Sequence, residues 1–186
     1  AGLARVPFAA IPNVQPSSAL IILAGAAFGW RVGALTGAVV PLVSNAFLGH
    51  GPWTPFQMLG WGLMGAAAAP VLGRVRRRLP LALFGALAGL AFGFIMNAWV
   101  WLASVRPAAL HTFLPVLVRA IPFDLAHAAG NAVILWLVGP RLLTLMRRAN
   151  VRRIVAPLDA GGVIASPRPP PVYRGGSADA PPSPPS

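Results

Sequence analysis

The 186-residue chain is 56% hydrophobic and only 10% charged, with a mean hydropathy of +0.70, which excludes an ordinary soluble domain of this size. The net charge is +12, and all 15 basic residues are arginine. Those arginines stand at the ends of apolar runs rather than along one face, so they speak for membrane topology and against nucleic-acid binding. Cysteine is absent, which removes disulfides, thiolate metal sites and cysteine nucleophiles.

In chain order, residues 1–10 read as the outer end of a membrane helix broken at Pro7, so the first helix is expected to be truncated. "IPNVQPSS" is a proline-bracketed polar loop, and Ser17 and Ser18 are the expected N-caps of a helix to Trp30. Arg31 marks a tight turn before a helix over 32–48. A polar loop at 49–54 follows, and Pro55 opens a helix to Gly73 that "RVRRR" ends. A further span covers 80–105. Residues 106–121 are too interrupted to span and predict an interfacial helix, and the last span covers 122–146 before "RRANVRR". From Val151 the chain turns to Pro, Ser and Gly, which predicts a disordered, linker-like tail over 151–186. The expected fold is therefore all-α: a polytopic bundle over 1–150 with six transmembrane helices in the complete protein.

The two densest arginine clusters fall on one side, which predicts that side to be cytoplasmic, with both ends of the protein there. Glycine recurs at 25, 29, 33 and 37 and at 85, 89 and 93, a spacing that lets membrane helices approach closely within the bundle.

Polar side chains inside a membrane are costly, so their depth is informative. Asn45 is expected at the outer end of its helix, with Gln57 and Trp61 at the outer start of the next. Asn97 and Trp101 fall in the outer half of the fifth span. Asp124, His127 and Asn131 share one face, again at the outer end. The outer loops add Asn13, Gln15, His50, Trp53 and Thr54. This one-sidedness predicts a polar, tryptophan-lined pocket open to the outside over a sealed apolar floor. Each residue has a plainer reading beside it. Trp30, Trp53 and Trp136 suit an interfacial belt, and the three asparagines suit interhelical hydrogen bonds. Asp124 either touches substrate or pairs with His127 or Arg119.

Enzyme chemistry fits poorly. "HAAGN" resembles the HxxxN element of CAAX-type intramembrane proteases, but the paired glutamates of those enzymes have no counterpart, since the chain has no Glu. A rhomboid-like pair would need Ser44 or Ser104 beside a histidine, and neither serine has a motif context. Carboxylate-held metals lack acids, a Walker loop is absent, and no polar stripe reaches the inner side as a channel requires.

The segment 11–65, with "PNVQP", a small-residue helix pair and "GHGPWTPFQ" in that order, resembles the substrate-specific (S) components of energy-coupling factor (ECF) transporters. "PFDLAHAAGN" fits the same group, and the likeness covers about 1–148. The resemblance implies a non-enzymatic, six-helix subunit that binds a vitamin or related micronutrient at an outward-facing site. It further implies a transmembrane coupling subunit and two cytoplasmic ATPases as partners, with toppling in the membrane as the release step. Similar loops in members linked to cobalamin make a corrinoid the first expected cargo, with riboflavin-, folate- and thiamine-like compounds open. One departure concerns docking: Ala1, Ala4 and Ala9 do not spell the AxxxA-type face of helix 1. The competing reading is a polytopic protein without transport function whose outer polar cluster only holds helices together.

Overall fold

Proline and glycine set the helix boundaries. The computed structural model describes residue 1 and residues 13–149, which belong to one compact unit, Ala1–Arg152. The expected helix end at 1–10, Ala4 and Ala9 of the docking face and the 151–186 tail lie outside the described residues. Helix α1 (Pro16–Phe28) begins with proline at its first position, where a missing N–H costs nothing. It ends at Gly29, whose φ of 96° a side chain would resist and whose N–H closes on the Gly25 carbonyl at 2.9 Å. Ser17 and Ser18 do not cap: they sit inside the first turn, buried, because Pro16 already starts the helix. Helices α2 (Trp30–Leu48), α3 (Thr54–Leu72) and α4 (Arg78–Ser104) lie within two residues of their predicted bounds.

The interfacial helix expected at 106–121 is overturned. Residues from 110 onward are the first half of one long helix, α5 (Leu110–Leu137), with Pro115 and Pro122 inside it. Each proline removes one backbone donor, yet neighbouring helices and the apolar medium keep the remaining backbone bonds in place. The last span is in turn broken at Val138, and a sixth helix, α6, occupies 139–149. Pro140 explains the break, since it has no N–H for the carbonyl one turn back and suits the first turn of a new helix.

Among the described residues all regular structure is helical. Trp30–Leu48, Arg78–Ser104 and Leu110–Leu137 are long and apolar enough to cross a membrane. Large apolar side chains such as Leu35, Phe47, Leu87 and Leu114 stand exposed on the outside of the bundle, as in a multi-pass membrane protein.

Helix α1 is the hub. Nine of its 13 residues are buried, and it packs on α2, α3, α4 and α5. The glycine series explain how the neighbours come so close. A side chain at Gly33 would run into the Gly65 carbonyl, and one at Gly85 or Gly89 would run into α5. At the end where α1 and α3 finish, Arg147 of α6 donates to the carbonyls of Ala26 (3.4 Å), Leu72 (3.0 Å), Gly73 (2.7 Å) and Val75 (3.1 Å). One guanidinium thus satisfies helix-end acceptors of both α1 and α3. Arg147→Met is expected to destabilise the bundle by about 1.5–3 kcal/mol. Arg147→Lys should restore only part of that, because an ammonium cannot fork between four carbonyls. Thermal unfolding in detergent checks the order.

Candidate binding site

The central helix starts lower than its neighbours. Gly25 of α1 lies against Gly65 and Ala68 of α3, and Ser18 against Trp61. This register leaves Pro16 about one helical turn, ~5 Å, below the start of α3. Gly33 faces Gly65 and Gly37 faces Trp61, which brings the end of α2 level with the start of α3. Trp53 meets Trp99 and Gly60 meets Phe92, so α4 extends past that level. The ends of α2, α3 and α4 therefore extend past the level at which α1 starts.

Polar residues gather at this end of the bundle. Asn13, at φ 58°, a left-handed conformation that asparagine tolerates, donates to the Phe123 carbonyl at 2.7 Å and ties the loop before α1 to α5. The Oε1 of Gln15 is buried without a hydrogen-bond partner among the described residues. On the α2–α3 side, Asn45 donates to Thr54 Oγ1 (3.0 Å) and Gln57 Oε1 (2.9 Å). Gln57 spends its carbonyl oxygen there, so its amide NH2 is what it offers to another acceptor. Trp53 packs edge-on to Trp99 with centroids 5.9 Å apart, and Phe56 tilts against the same ring. Trp101 donates to Thr112 Oγ1 at 3.0 Å, which commits its indole N–H to the first turn of α5.

Deeper, three elements meet at Ser18. Trp61 Nε1 donates to its hydroxyl oxygen at 2.9 Å, and that hydroxyl lies 2.8 Å from His127 Nε2. Ser18 thus accepts from the indole and shares one further hydrogen bond with His127, whose donor is set by the imidazole tautomer. All three side chains are fully buried. Phe92 closes the cluster, stacked on Trp61 at 4.7 Å and edge-on to His127 at 5.1 Å.

The residues expected together thus separate by depth. Asp124 lies against Gly93, His127 against Phe92 and Asn131 against Gly85, a staircase descending past the middle of α4. The shared outer depth read for Asp124, His127 and Asn131 does not hold for Asn131. The i, i+3, i+7 spacing fixes a common face, but seven residues of helix also descend about 10 Å. Asp124 pairs with neither His127 nor Arg119: its Oδ2 accepts from Asn97 Nδ2 at 2.8 Å. Asn131 donates to the Gly85 carbonyl at 3.3 Å, and its Oδ1 is buried without a partner among the described residues. Sequence reasoning missed Ser18, Phe92 and Trp99 as members of these clusters. The two small hydroxyls, Ser17 and Ser18, at the head of an apolar central helix were the available signal for Ser18. Nothing distinguished Phe92 from lipid-facing phenylalanines.

Residues 2–139 match the family described as ECF transporter, substrate-specific component. The chain belongs to this family. The S component is also 30% identical over 156 residues to a UPF0397 protein of Aliivibrio salmonicida (strain LFI1238), covering 77% of this chain and 81% of that protein. No solved structure matches it. The S component is thus a substrate-binding subunit of an ECF-type importer, from a transporter rather than an enzyme family, and S components work with a coupling subunit and ATPases. The Ser18–His127 contact accordingly reads as a buried structural pair, sealed by Trp61 and Phe92, rather than as a nucleophile and its base.

Proposed function

We propose that this S component captures a vitamin-like ring compound from the outer side, in a depression over the start of α1, and hands it to the coupling subunit for ATPase-driven import. The low start of α1 carries the reading: it leaves Asn13, Gln15, Asn45, Thr54 and Gln57 at one end of the bundle, where Gln15 Oε1 lacks a donor among the described residues. The arginine-rich end, with Arg31, Arg74, Arg76, Arg77, Arg78 and Arg148 exposed, is the cytoplasmic side, which turns the depression outward.

A corrinoid is the cargo proposed first. The likeness of the outer loop supports it, and so does a site built from carboxamides, which match the amide arms of a corrin ring donor to acceptor. Arginines near this end, Arg106 and Arg119, are exposed, so among the described residues no buried cation is on hand for a polyanionic cargo such as a folate. Aromatic packing by Trp53 and Trp99 supplies a rim.

The cysteine-free chain makes sidedness measurable. In intact cells, a membrane-impermeant maleimide is expected to label His50→Cys in the α2–α3 loop, with cargo slowing the reaction, and to leave Arg76→Cys unlabelled. Labelling of Arg76→Cys alone would refute outward capture.

A further inference from the structure

The outer half of the bundle also carries a lateral groove of about 240 Å³, formed by α4 and α5 alone. Leu90, Phe94, Leu117, Ile121 and Leu125 make it apolar, and Phe94, Ile121 and Leu125 are 50–56% exposed, so it opens sideways toward lipid. Its two polar members are Asn97 and Asp124. Asp124 is the only acidic side chain among the described residues, and its one hydrogen-bond partner among them is the neutral Asn97. Gly93 lies directly under the carboxylate, and any side chain there would collide with it.

A carboxylate at this depth is costly unless a cation or strong donors meet it. A bare metal ion fits badly. It would find one carboxylate and one amide where hard cations take six or more oxygens, and the described residues hold no cluster of three candidate ligands. An organic ammonium on an apolar body fits both parts of the groove. Its N–H groups would donate to Asp124 and to the Asn97 carbonyl oxygen, which stays available because Asn97 turns its NH2 toward Asp124. Its body would lie on the leucines and Phe94.

We propose that the α4–α5 groove is a binding site for an organic ammonium attached to an apolar chain or ring, separate from the depression over α1. The probe is n-octylammonium, titrated calorimetrically into the full chain in phosphatidylcholine nanodiscs, with n-octanol as the neutral control of equal length. Saturable binding is expected for octylammonium and not for octanol. Asp124→Asn, nearly isosteric, should weaken it at least tenfold. Leu125→Trp, at an exposed position, should block the groove while keeping the carboxylate, and it decides the matter if Asp124→Asn does not fold. Binding within twofold of wild type in the folded variants, or equal saturation by octanol, would overturn the proposal. Repeating the titration in phosphatidylethanolamine nanodiscs identifies the natural source. A tenfold loss there supports a lipid headgroup ammonium as occupant, and unchanged affinity supports a free amphiphilic amine.

Discussion

Gly33→Ala is expected to cost more than about 4 kcal/mol, enough to prevent recovery of a monodisperse protein. A single methyl would stand 2.6 Å from the Gly65 carbonyl carbon and 2.7 Å from the Gly25 Cα, closer still to the Gly65 carbonyl oxygen. All three obstacles are backbone, so relief requires α1, α2 and α3 to part. Gly65→Ala should fail in the same way, since its methyl would meet the Gly33 carbonyl. Gly62→Ala, on the same helix, would find only the Ala34 carbonyl oxygen at 3.6 Å, an ordinary contact, and should be near neutral. Size-exclusion profiles and thermal unfolding of the three variants in one detergent check the contrast. If Gly33→Ala behaved like Gly62→Ala, the three-helix crossing would be wrong.

Gln15→Leu is expected to reduce cargo retention about tenfold while leaving the cargo-free protein as stable as wild type or more so. A buried acceptor without a donor costs about 1–3 kcal/mol, and replacing it with an apolar group of similar shape removes that cost. If cargo donates to Gln15, losing that bond weakens binding by about 1.4 kcal/mol, a factor of ten. A merely structural glutamine would show the opposite pattern, with stability falling and retention unchanged. Gln57→Leu should differ from Gln15→Leu. It breaks the Asn45 hydrogen bond as well, so stability and retention fall together.

Helix existence was legible because proline, glycine and arginine punctuate long apolar runs, and α2, α3 and α4 follow that punctuation. The reading failed where proline did not end a helix. Pro115 and Pro122 lie inside α5, since the gaps they leave in the ladder do not outweigh the satisfaction of the rest of the backbone in an apolar medium. The glycine spacing was legible as close packing, but only three of the four glycines in the first series serve it. Gly29 makes the turn between α1 and α2 instead, with open space around it.

The candidate site was legible in composition and not in depth. Trp61 read as part of a tryptophan-lined pocket, and its ring lies fully buried against Phe92, because a tryptophan beside a central helix finds more to cover inward than upward. Partner choice was hidden for a related reason. His127 takes Ser18 and Asp124 takes Asn97, pairings set by helix register that no spacing within one helix encodes.

The central claim, that this S component holds a small ring compound over the start of α1 without ATP, rests most directly on one measurement. Wild-type and Gln15→Leu chains are purified from their native membrane, denatured, and the released small molecules quantified by mass spectrometry. The expected result is one compound at about one per wild-type chain, a corrinoid first, reduced about tenfold in Gln15→Leu. A wild-type chain that releases nothing above the detergent background, or the same compound in equal amount from both chains, would contradict the account.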